Sequence, residues 1–268
     1  MAIKQRILTA VVCLPLLVLF IAKASAGLFA GLLCIFAAIG LHEFYAMALP
    51  RQRRGEALVA IAFGVALTAA LQFCPHPAAG QGTLVAVVLA LLTLFLFRYR
   101  SLESVGRDLA LTALGLLYVP LLLGHAGMLR QLEQGEAWVF LVLLIVMVSD
   151  SMAYFTGMAF GRHRLYEAIS PKKSIEGAVG GLLGGVLGTL VAKFWLLPQL
   201  QVLDVLFLGV GVGAFSQVGD LVESMFKRSF GVKDSGTIFP GHGGLLDRLD
   251  SLLFAFPVTY YYALWFVK

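Results

Sequence analysis

The sequence predicts an all-α, polytopic integral membrane protein with about nine transmembrane helices. Two observations lead to this fold class. First, 60% of the 268 residues are hydrophobic and the mean hydropathy is +0.90, whereas soluble domains contain roughly 45–50% apolar residues. Second, the apolar residues form runs close to the roughly 20 residues that a membrane-spanning helix needs. The predicted spans cover about 7–22, 26–49, 57–73, 83–97, 109–128, 137–160, 174–197, 201–226 and 249–267.

The basic residues predict the orientation of these spans. All but four of the 20 Lys and Arg residues lie at the N-terminus or in the loops after the even-numbered spans, and the exceptions are Lys23, Arg130, Lys193 and Lys268. By the positive-inside rule, the N-terminus and these loops are cytosolic. The net charge of +5 therefore reflects membrane topology, and we expect no nucleic-acid partner.

The chain is expected to be a single transmembrane domain, 1–268. Within it, residues 1–130 form N-terminal spans whose expected role is structural; lipid access and dimer contacts are alternative roles. Residues 137–268 form the catalytic spans, with the site facing the cytosol. Lys4 and Arg6 before an apolar run resemble a secretory signal, but the length of that run favours an uncleaved first span. His42-Glu43 is open to two interpretations, an interfacial pair or a pocket wall, and Arg51–Arg54 are expected to anchor the chain at lipid headgroups.

Span six carries an aspartate where an apolar residue would be expected. Asp150, Ala153, Tyr154 and Gly157 are spaced i, i+3, i+4, i+7, so they share one face of a helix. An ionisable side chain within a span indicates a functional site because its burial in lipid is costly. We therefore expect Asp150 and Tyr154 to contribute to a binding site in the cytosolic half of the membrane.

The loop after span six is basic and is followed by a glycine-rich helix. Ser170 is predicted to cap span seven with Pro171 in its first turn, which would place backbone N–H groups beside Lys172 and Lys173 as a phosphate site. Glycines recur along the helix at small-xxx-small spacing, at positions 177, 180, 181, 184, 185 and 188. They indicate close helix packing, either within the protomer or at a dimer interface.

Residues 217–251 concentrate the charge of an otherwise apolar chain. They contain five acidic residues, four Lys or Arg and one His, although only 13% of the chain is charged. At the end of span eight, one helical stripe holds Asp220, Glu223, Ser224, Lys227 and Arg228. For Glu223 and Lys227, an ordinary salt bridge is a sufficient explanation. A glycine-rich loop with Lys233, Asp234 and His242 follows, and span nine opens with Asp247, Arg248 and Asp250.

All these groups are predicted to lie at the cytosolic ends of their spans, where they can line one cavity. Carboxylates without a His/Cys cluster suit Mg²⁺, which is commonly held by one or two carboxylates together with substrate phosphates. Basic side chains around such a metal are suited to a nucleoside triphosphate. The residues thus predict metal-assisted phosphoryl or nucleotidyl transfer at the inner leaflet. His242 has two interpretations, a phosphate donor or a residue that shapes the loop.

Several segments together resemble the phosphatidate cytidylyltransferases, the CDP-diacylglycerol synthases. The resemblance covers residues 139–257, and the first spans match only as a generic apolar pattern. Its motifs are Ser149-Asp150 to Tyr154, Ser170-Pro171-Lys172-Lys173-Ser174, Ser224-Met225-Phe226-Lys227-Arg228, Lys233-Asp234-Ser235-Gly236, Pro240-Gly241-His242-Gly243-Gly244 and Leu246-Asp247-Arg248-Leu249-Asp250.

The resemblance implies an enzyme that makes CDP-diacylglycerol and pyrophosphate from CTP and phosphatidic acid with Mg²⁺. It also implies an all-helical membrane fold, commonly a homodimer, with metal-binding aspartates that match Asp220 and Asp247. The expected catalytic residues are Asp220, Asp247, Lys227, Arg228, Lys233 and Arg248. The expected substrate-binding residues are Asp150, Tyr154, Lys172, Lys173, Ser224, Asp234, His242 and Asp250.

Two other functions compete with this one. A CTP-dependent lipid kinase would use a similar site but release CDP, and a cation-coupled transporter would use intramembrane acids to carry ions. Transport is disfavoured because nearly all charged groups are predicted on one side of the membrane. We expect the protein in a bacterial cytoplasmic membrane with its active site facing the cytosol. The sequence does not decide whether a second cation binds beside Mg²⁺.

Overall fold

The computed structural model describes residues 15–74, 77–238 and 243–267, and most of them are helical. In chain order the elements are α1 (15–23), α2 (Ala26–Ala48), a 3₁₀ turn (Arg51–Arg53), α3 (Arg54–Phe73), α4 (Pro77–Arg98), α5 (Leu102–Leu116), a π-helical turn (Leu117–Leu121), α6 (Leu122–Arg130), α7 (Gly135–Phe160), β1 (Arg164–Tyr166), β2 (Ser170–Ser174), α8 (Ile175–Trp195), α9 (Val202–Ser229) and α10 (Leu246–Phe266).

Local sequence explains several helix boundaries. The hydroxyl of Ser25 accepts a hydrogen bond from the N–H of Leu28 at the start of α2, and Ser101 caps α5 through the N–H of Glu103. Pro120 lies within the π-helical turn that joins α5 to α6. Because proline has no N–H to donate, it interrupts the regular ladder at this point.

The chain is an all-α membrane protein. Among the described residues, seven helical segments are long and apolar enough to span a membrane: Ala26–Ala48, Arg51–Phe73, Ala78–Arg98, Leu102–Arg130, Gly135–Phe160, Ile175–Trp195 and Val202–Ser229. Each predicted span from the second onwards falls on a helix. Half of the first predicted span, 7–14, lies outside the described residues, and α10, which opens with Asp247, Arg248 and Asp250, is not among the seven.

The described residues form two compact units. Unit 1 comprises the described parts of Met1–Met128 and Val232–Asp247, and unit 2 comprises those of Leu129–Gly231 and Arg248–Lys268. In unit 1, α2 to α6 enclose a core that includes Leu41, Phe44 and Leu67. In unit 2, α7, α8 and α9 pack side by side, and β1 pairs with β2 in an antiparallel hairpin between α7 and α8.

Arg53 of unit 1 is not the exposed membrane anchor that we expected. It is 1% exposed, and its guanidinium donates to Asp108 at 2.9 Å, to Glu56 at 3.3 Å and to the carbonyl of Arg98 at 2.9 Å. Its guanidinium carbon also lies 5.2 Å from the ring centre of Phe95. The prediction was wrong for Arg53 because acidic partners on α3 and α5 compensate for its burial.

The α8 glycines pack within the protomer. A Cβ on Gly188 would lie 2.9 Å from the carbonyl oxygen of Leu144 in α7, and one on Gly185 would lie 2.3 Å from that of Gly209 in α9. Gly177, Gly180 and Gly184 meet atoms of α7 in the same way. Since these positions are filled by neighbouring helices of the same chain, the glycine stripe supports α7 and α9 on either side of α8.

Candidate active site

The predicted face of α7 lines a cavity in unit 2. Asp150, Ala153, Tyr154 and Gly157 all face this cavity of about 540 Å³, which confirms the helical spacing. The opposite wall comes from β2 and the first turn of α8, and α9 contributes Gln217 and Asp220. The cavity therefore brings together three segments that are separate in the sequence.

The β-hairpin places the two lysines, and it corrects the predicted start of α8. Ser170 lies in β2 and does not cap the helix; instead Ser174 caps it by accepting a hydrogen bond from the N–H of Gly177 at 3.1 Å. The prediction was wrong because Ser170–Ser174 pairs with Arg164–Tyr166, which commits these residues to a strand. Lys172 and Lys173 reach the cavity from the strand, and Ser174 and Gly177 at the start of α8 line the same cavity, so a phosphate site beside this helix N-terminus stays a prediction.

A carboxylate at the start of α8 holds the hairpin. Glu176 accepts hydrogen bonds from the N–H groups of Arg162 at 3.1 Å and His163 at 3.3 Å. The Nδ1 atom of His163 also lies 2.6 Å from this carboxylate. These contacts tie the loop after α7 to the first turn of α8, and they stabilise the strand that carries Lys172 and Lys173.

The centre of the cavity wall is an ion pair between Lys173 and Asp220. The Nζ atom of Lys173 lies 2.7 Å from an Oδ atom of Asp220, and both side chains are about one third exposed. The hydroxyl of Ser224, one turn further along α9, lies 3.4 Å from the other Oδ atom. With Asp150 and Lys172 on the same cavity, two carboxylates and two ammonium groups face a largely apolar space. This arrangement suits a polyanionic ligand that has an apolar portion.

Gln217 belongs to this wall and was missed by sequence reasoning. It precedes Asp220 by three residues on α9, and its amide donates to the carbonyl of Ala178 in α8 at 3.1 Å. The available signal was its spacing from Asp220, because residues three apart share a helix face. Gln217 joins α9 to α8 beside the ion pair.

The remaining charged residues of unit 2 are arranged differently. Lys227 forms an ion pair with Glu223, whose side chain is 1% exposed, as the salt-bridge interpretation expected. Arg228 and Arg248 have exposed side chains. Asp250 is partly buried, and its carboxylate accepts from the N–H of Ser251 at 2.6 Å. None of these five residues lines the 540 Å³ cavity.

In unit 1, the carboxylate of Asp247 organises the glycine-rich loop. Its Oδ2 atom accepts from the N–H of Gly244 at 2.7 Å and from both the N–H and the hydroxyl of Ser235 at 2.9 Å. Gly243 has a φ of +82°, and a Cβ there would lie 2.4 Å from this oxygen, so glycine permits the close approach. Lys233 and Asp234 are exposed, and His242 lies outside the described residues.

Glu43 is the second carboxylate of this cluster. It is 4% exposed and accepts hydrogen bonds from the N–H groups of Leu245 and Leu246, both at 2.9 Å. The interfacial interpretation of His42-Glu43 is therefore wrong for Glu43. His42 is exposed and lines a different cavity of unit 1, next to Arg51 and Arg54.

The family model described as "Cytidylyltransferase family" matches residues 4–266 of this chain. The chain belongs to the cytidylyltransferase family. Proteins named phosphatidate cytidylyltransferase are similar to it: that of Staphylococcus epidermidis is 44% identical over 126 residues, and that of Bacillus subtilis is 38% identical over 157 residues. The first match covers 47% of this chain and 48% of the relative, and the second covers 58% of each. The chain thus spans about half the length of the curated relatives that it matches.

The donor chemistry of this cytidylyltransferase-family protein fits Mg²⁺. Asp220, one of the two predicted metal ligands, offers carboxylate oxygens on a cavity large enough for phosphate groups, and Mg²⁺ is usually bound by one or two carboxylates together with phosphates and water. Within the described ranges, no group of three or more His, Cys, Asp or Glu residues is arranged to hold a metal ion. A site of this kind would therefore take part of its ligands from the substrate.

The predicted site residues of this family member fall in both units. Asp150, Tyr154, Lys172, Lys173 and Asp220 come together in unit 2, with Ser224 next to Asp220. Lys233, Asp234 and Asp247 belong to unit 1. That both sets serve a single reaction stays a prediction.

Proposed function

We propose that this protein transfers the cytidylyl group of CTP to phosphatidic acid, giving CDP-diacylglycerol and pyrophosphate. The observation that carries the proposal is the Lys173–Asp220 ion pair on a cavity shared with Asp150, Tyr154 and Lys172, in a chain that matches a cytidylyltransferase family model over nearly its whole length. An ion pair of this kind suits a ligand that brings both negative phosphates and a metal cation. The apolar part of the wall suits the lipid substrate.

The reaction needs no protein base. The phosphate monoester of phosphatidate carries a charge of about −1.5 to −2 at neutral pH. One of its oxygens attacks the α-phosphorus of CTP, a new P–O bond forms, and the bond between the α-phosphorus and the bridging oxygen breaks. The electron pair leaves with pyrophosphate. The carboxylates are therefore proposed to act as metal ligands and not as proton acceptors.

The protein must offset the negative charge that collects around the α-phosphorus. Lys172 and Lys173 are the best placed cations for this because both face the cavity. Asp220 and Asp247 are proposed to hold Mg²⁺, which would neutralise phosphate charge and orient the triphosphate. Lys233, Arg228 and Arg248 are proposed to meet phosphates from exposed positions, whereas Lys227 neutralises Glu223.

We further propose nine membrane spans with the N-terminus in the cytosol of a bacterial cell, and a homodimer in the cytoplasmic membrane. In this arrangement 1–130 form the supporting spans and 137–268 the catalytic spans, with the active site open to the cytosol. Labelling of single cysteines introduced into a cysteine-free variant tests the orientation. A cysteine at Arg164 should react only from the cytosolic side and one at Gln199 only from the outside, and the opposite result would reverse the topology.

The decisive experiment measures pyrophosphate release by the purified protein in detergent, with CTP and phosphatidic acid, with and without Mg²⁺. Release should require all three and be accompanied by CDP-diacylglycerol in the lipid extract. Release of CDP with a phosphorylated lipid would instead support a CTP-dependent lipid kinase. No turnover by a folded sample would contradict the proposal.

A further inference from the structure

Glu43, near the C-terminal end of α2, has an unusual environment. It is 4% exposed in a helix that is otherwise almost entirely apolar. Burial of a carboxylate is costly unless hydrogen bonds compensate for the lost hydration. The described structure supplies this compensation from a segment about two hundred positions away in the chain.

Both oxygens of Glu43 bind the backbone of the glycine-rich loop. The N–H of Leu245 donates to Oε1 at 2.9 Å, and the N–H of Leu246 donates to Oε2 at 2.9 Å. A Cβ on Gly236 would lie 2.4 Å from Oε1, and one on Gly244 would lie 2.5 Å from Oε2. The loop can therefore close on the carboxylate only because glycines stand at these positions.

Ser235 connects Glu43 to Asp247. Its hydroxyl oxygen lies 3.1 Å from Oε2 of Glu43 and 2.9 Å from Oδ2 of Asp247, and Ser235 is 6% exposed. A hydroxyl carries a single proton, so it donates to one carboxylate at a time. The N–H of Ser235 donates to Asp247 as well, at 2.9 Å. The position of Asp247 thus depends on a residue that Glu43 holds.

We propose that Glu43 is a positioning residue for Asp247 in the reaction. It does not touch the substrates itself; it orders the described parts of the loop, 232–238 and 243–245, and through Ser235 it fixes the carboxylate that we assign to the metal. This inference rests on the proposed function for its catalytic meaning. It also gives the N-terminal spans, which carry no recognisable catalytic motif, a direct part in the site.

Glu43→Gln is the sharpest test. The new amide has one acceptor oxygen and one NH₂ group, and the NH₂ would face a backbone N–H at either Leu245 or Leu246. Glu43→Asp keeps both acceptors on a side chain that is shorter by one methylene. The matched control is Glu56→Gln, because Glu56 is also a buried carboxylate of unit 1, 3% exposed, but it contacts Arg53 and none of the described loop residues that Glu43 binds.

The experiment compares wild type, Glu43→Gln, Glu43→Asp and Glu56→Gln in detergent. We expect Glu43→Gln to lower kcat for pyrophosphate release by roughly 10- to 100-fold with a smaller change in KM for CTP, as supporting residues of metal ligands do. Glu43→Asp should lower kcat less than Glu43→Gln does, because it keeps both acceptor oxygens. Glu56→Gln should lower the Tm at least as much without lowering kcat to the same extent.

A second measurement is independent of activity. Lys233 is exposed in the loop, so limited trypsin digestion at this residue reports on loop order. Cleavage should be faster in Glu43→Gln than in Glu56→Gln at equal distance below each Tm. Equal loss of kcat in both variants, or equal cleavage at Lys233, would overturn the proposal. If the wild type shows no cytidylyltransferase activity, the proposed function fails, and the cleavage rates still decide whether Glu43 orders the loop.

Discussion

Asp220 in the cavity of unit 2 and the two carboxylates of the loop cluster in unit 1 are held in different ways. In the cavity of unit 2, Asp220 meets the side chain of Lys173, and both groups are about one third exposed. In the loop cluster of unit 1, Glu43 and Asp247 accept hydrogen bonds from backbone N–H groups, and the hydroxyl of Ser235 lies within hydrogen-bond distance of both. A flexible lysine can exchange one anionic partner for another, whereas backbone donors stay where the chain places them. The comparison suggests that the cavity is built to bind and the loop cluster is built to fix geometry.

The largest effect is expected from Asp220→Asn. The change removes a negative charge that Lys173 neutralises and that we propose binds Mg²⁺. Pyrophosphate release should therefore fall by more than roughly 100-fold. The Tm should change little because the side chain is half-buried at the edge of a cavity and its ion pair is accessible to solvent. Activity within tenfold of wild type would remove Asp220 from the site.

Asp247→Asn tests the other half of the comparison. The amide oxygen can replace Oδ2 as acceptor for Ser235 and Gly244, so we expect the loop to keep its fold while turnover is lost by more than roughly 100-fold. Thermal unfolding and trypsin cleavage at Lys233 report on the loop. Near-normal turnover would show that Asp247 serves only the loop and not the metal.

Lys173 and Lys172 form a matched pair on β2. Lys173→Met should lower kcat/KM by roughly 10- to 100-fold because it removes the cation next to Asp220, and charged hydrogen bonds are worth about 1.5–3 kcal/mol. Lys172→Met removes a neighbouring and more exposed cation and should have a smaller effect. A larger loss in Lys172→Met would mean that the ion pair is structural and that Lys172 is the main phosphate ligand.

The smallest effect is expected from the wall of the cavity. Gly177 lines it, and a Cβ there would lie 2.9 Å from the carbonyl oxygen of Ala153 in α7. Gly177→Ala should therefore destabilise unit 2 by about 1–3 kcal/mol and reduce kcat/KM a few-fold. Gly211→Ala is the control, since no atom lies within 4 Å of its added Cβ. Equal Tm values for the two variants would contradict the close packing of α7 on α8.

Much of the fold could be predicted because it depends on local properties. Long apolar runs specify helices in a membrane, and i, i+3, i+4, i+7 spacing placed Asp150 and Tyr154 on the face that lines the cavity. The salt bridge of Glu223 with Lys227 could also be read from the sequence, because residues four apart are neighbours on a helix. The start of α8 could not, because Ser170 and Ser174 are both suitable caps.

Composition and the spacing of residues within one element were enough to predict the membrane class of this protein, the approximate positions of its helices and the residues that carry its family resemblance. The partners of buried charges became known only from the folded chain. Arg53 is buried against Asp108, Ser170–Ser174 is a strand because it pairs with Arg164–Tyr166, and Glu43 binds N–H groups 202 and 203 positions further along the chain. A buried charge needs a compensating partner, but nothing local specifies which distant residue will provide it.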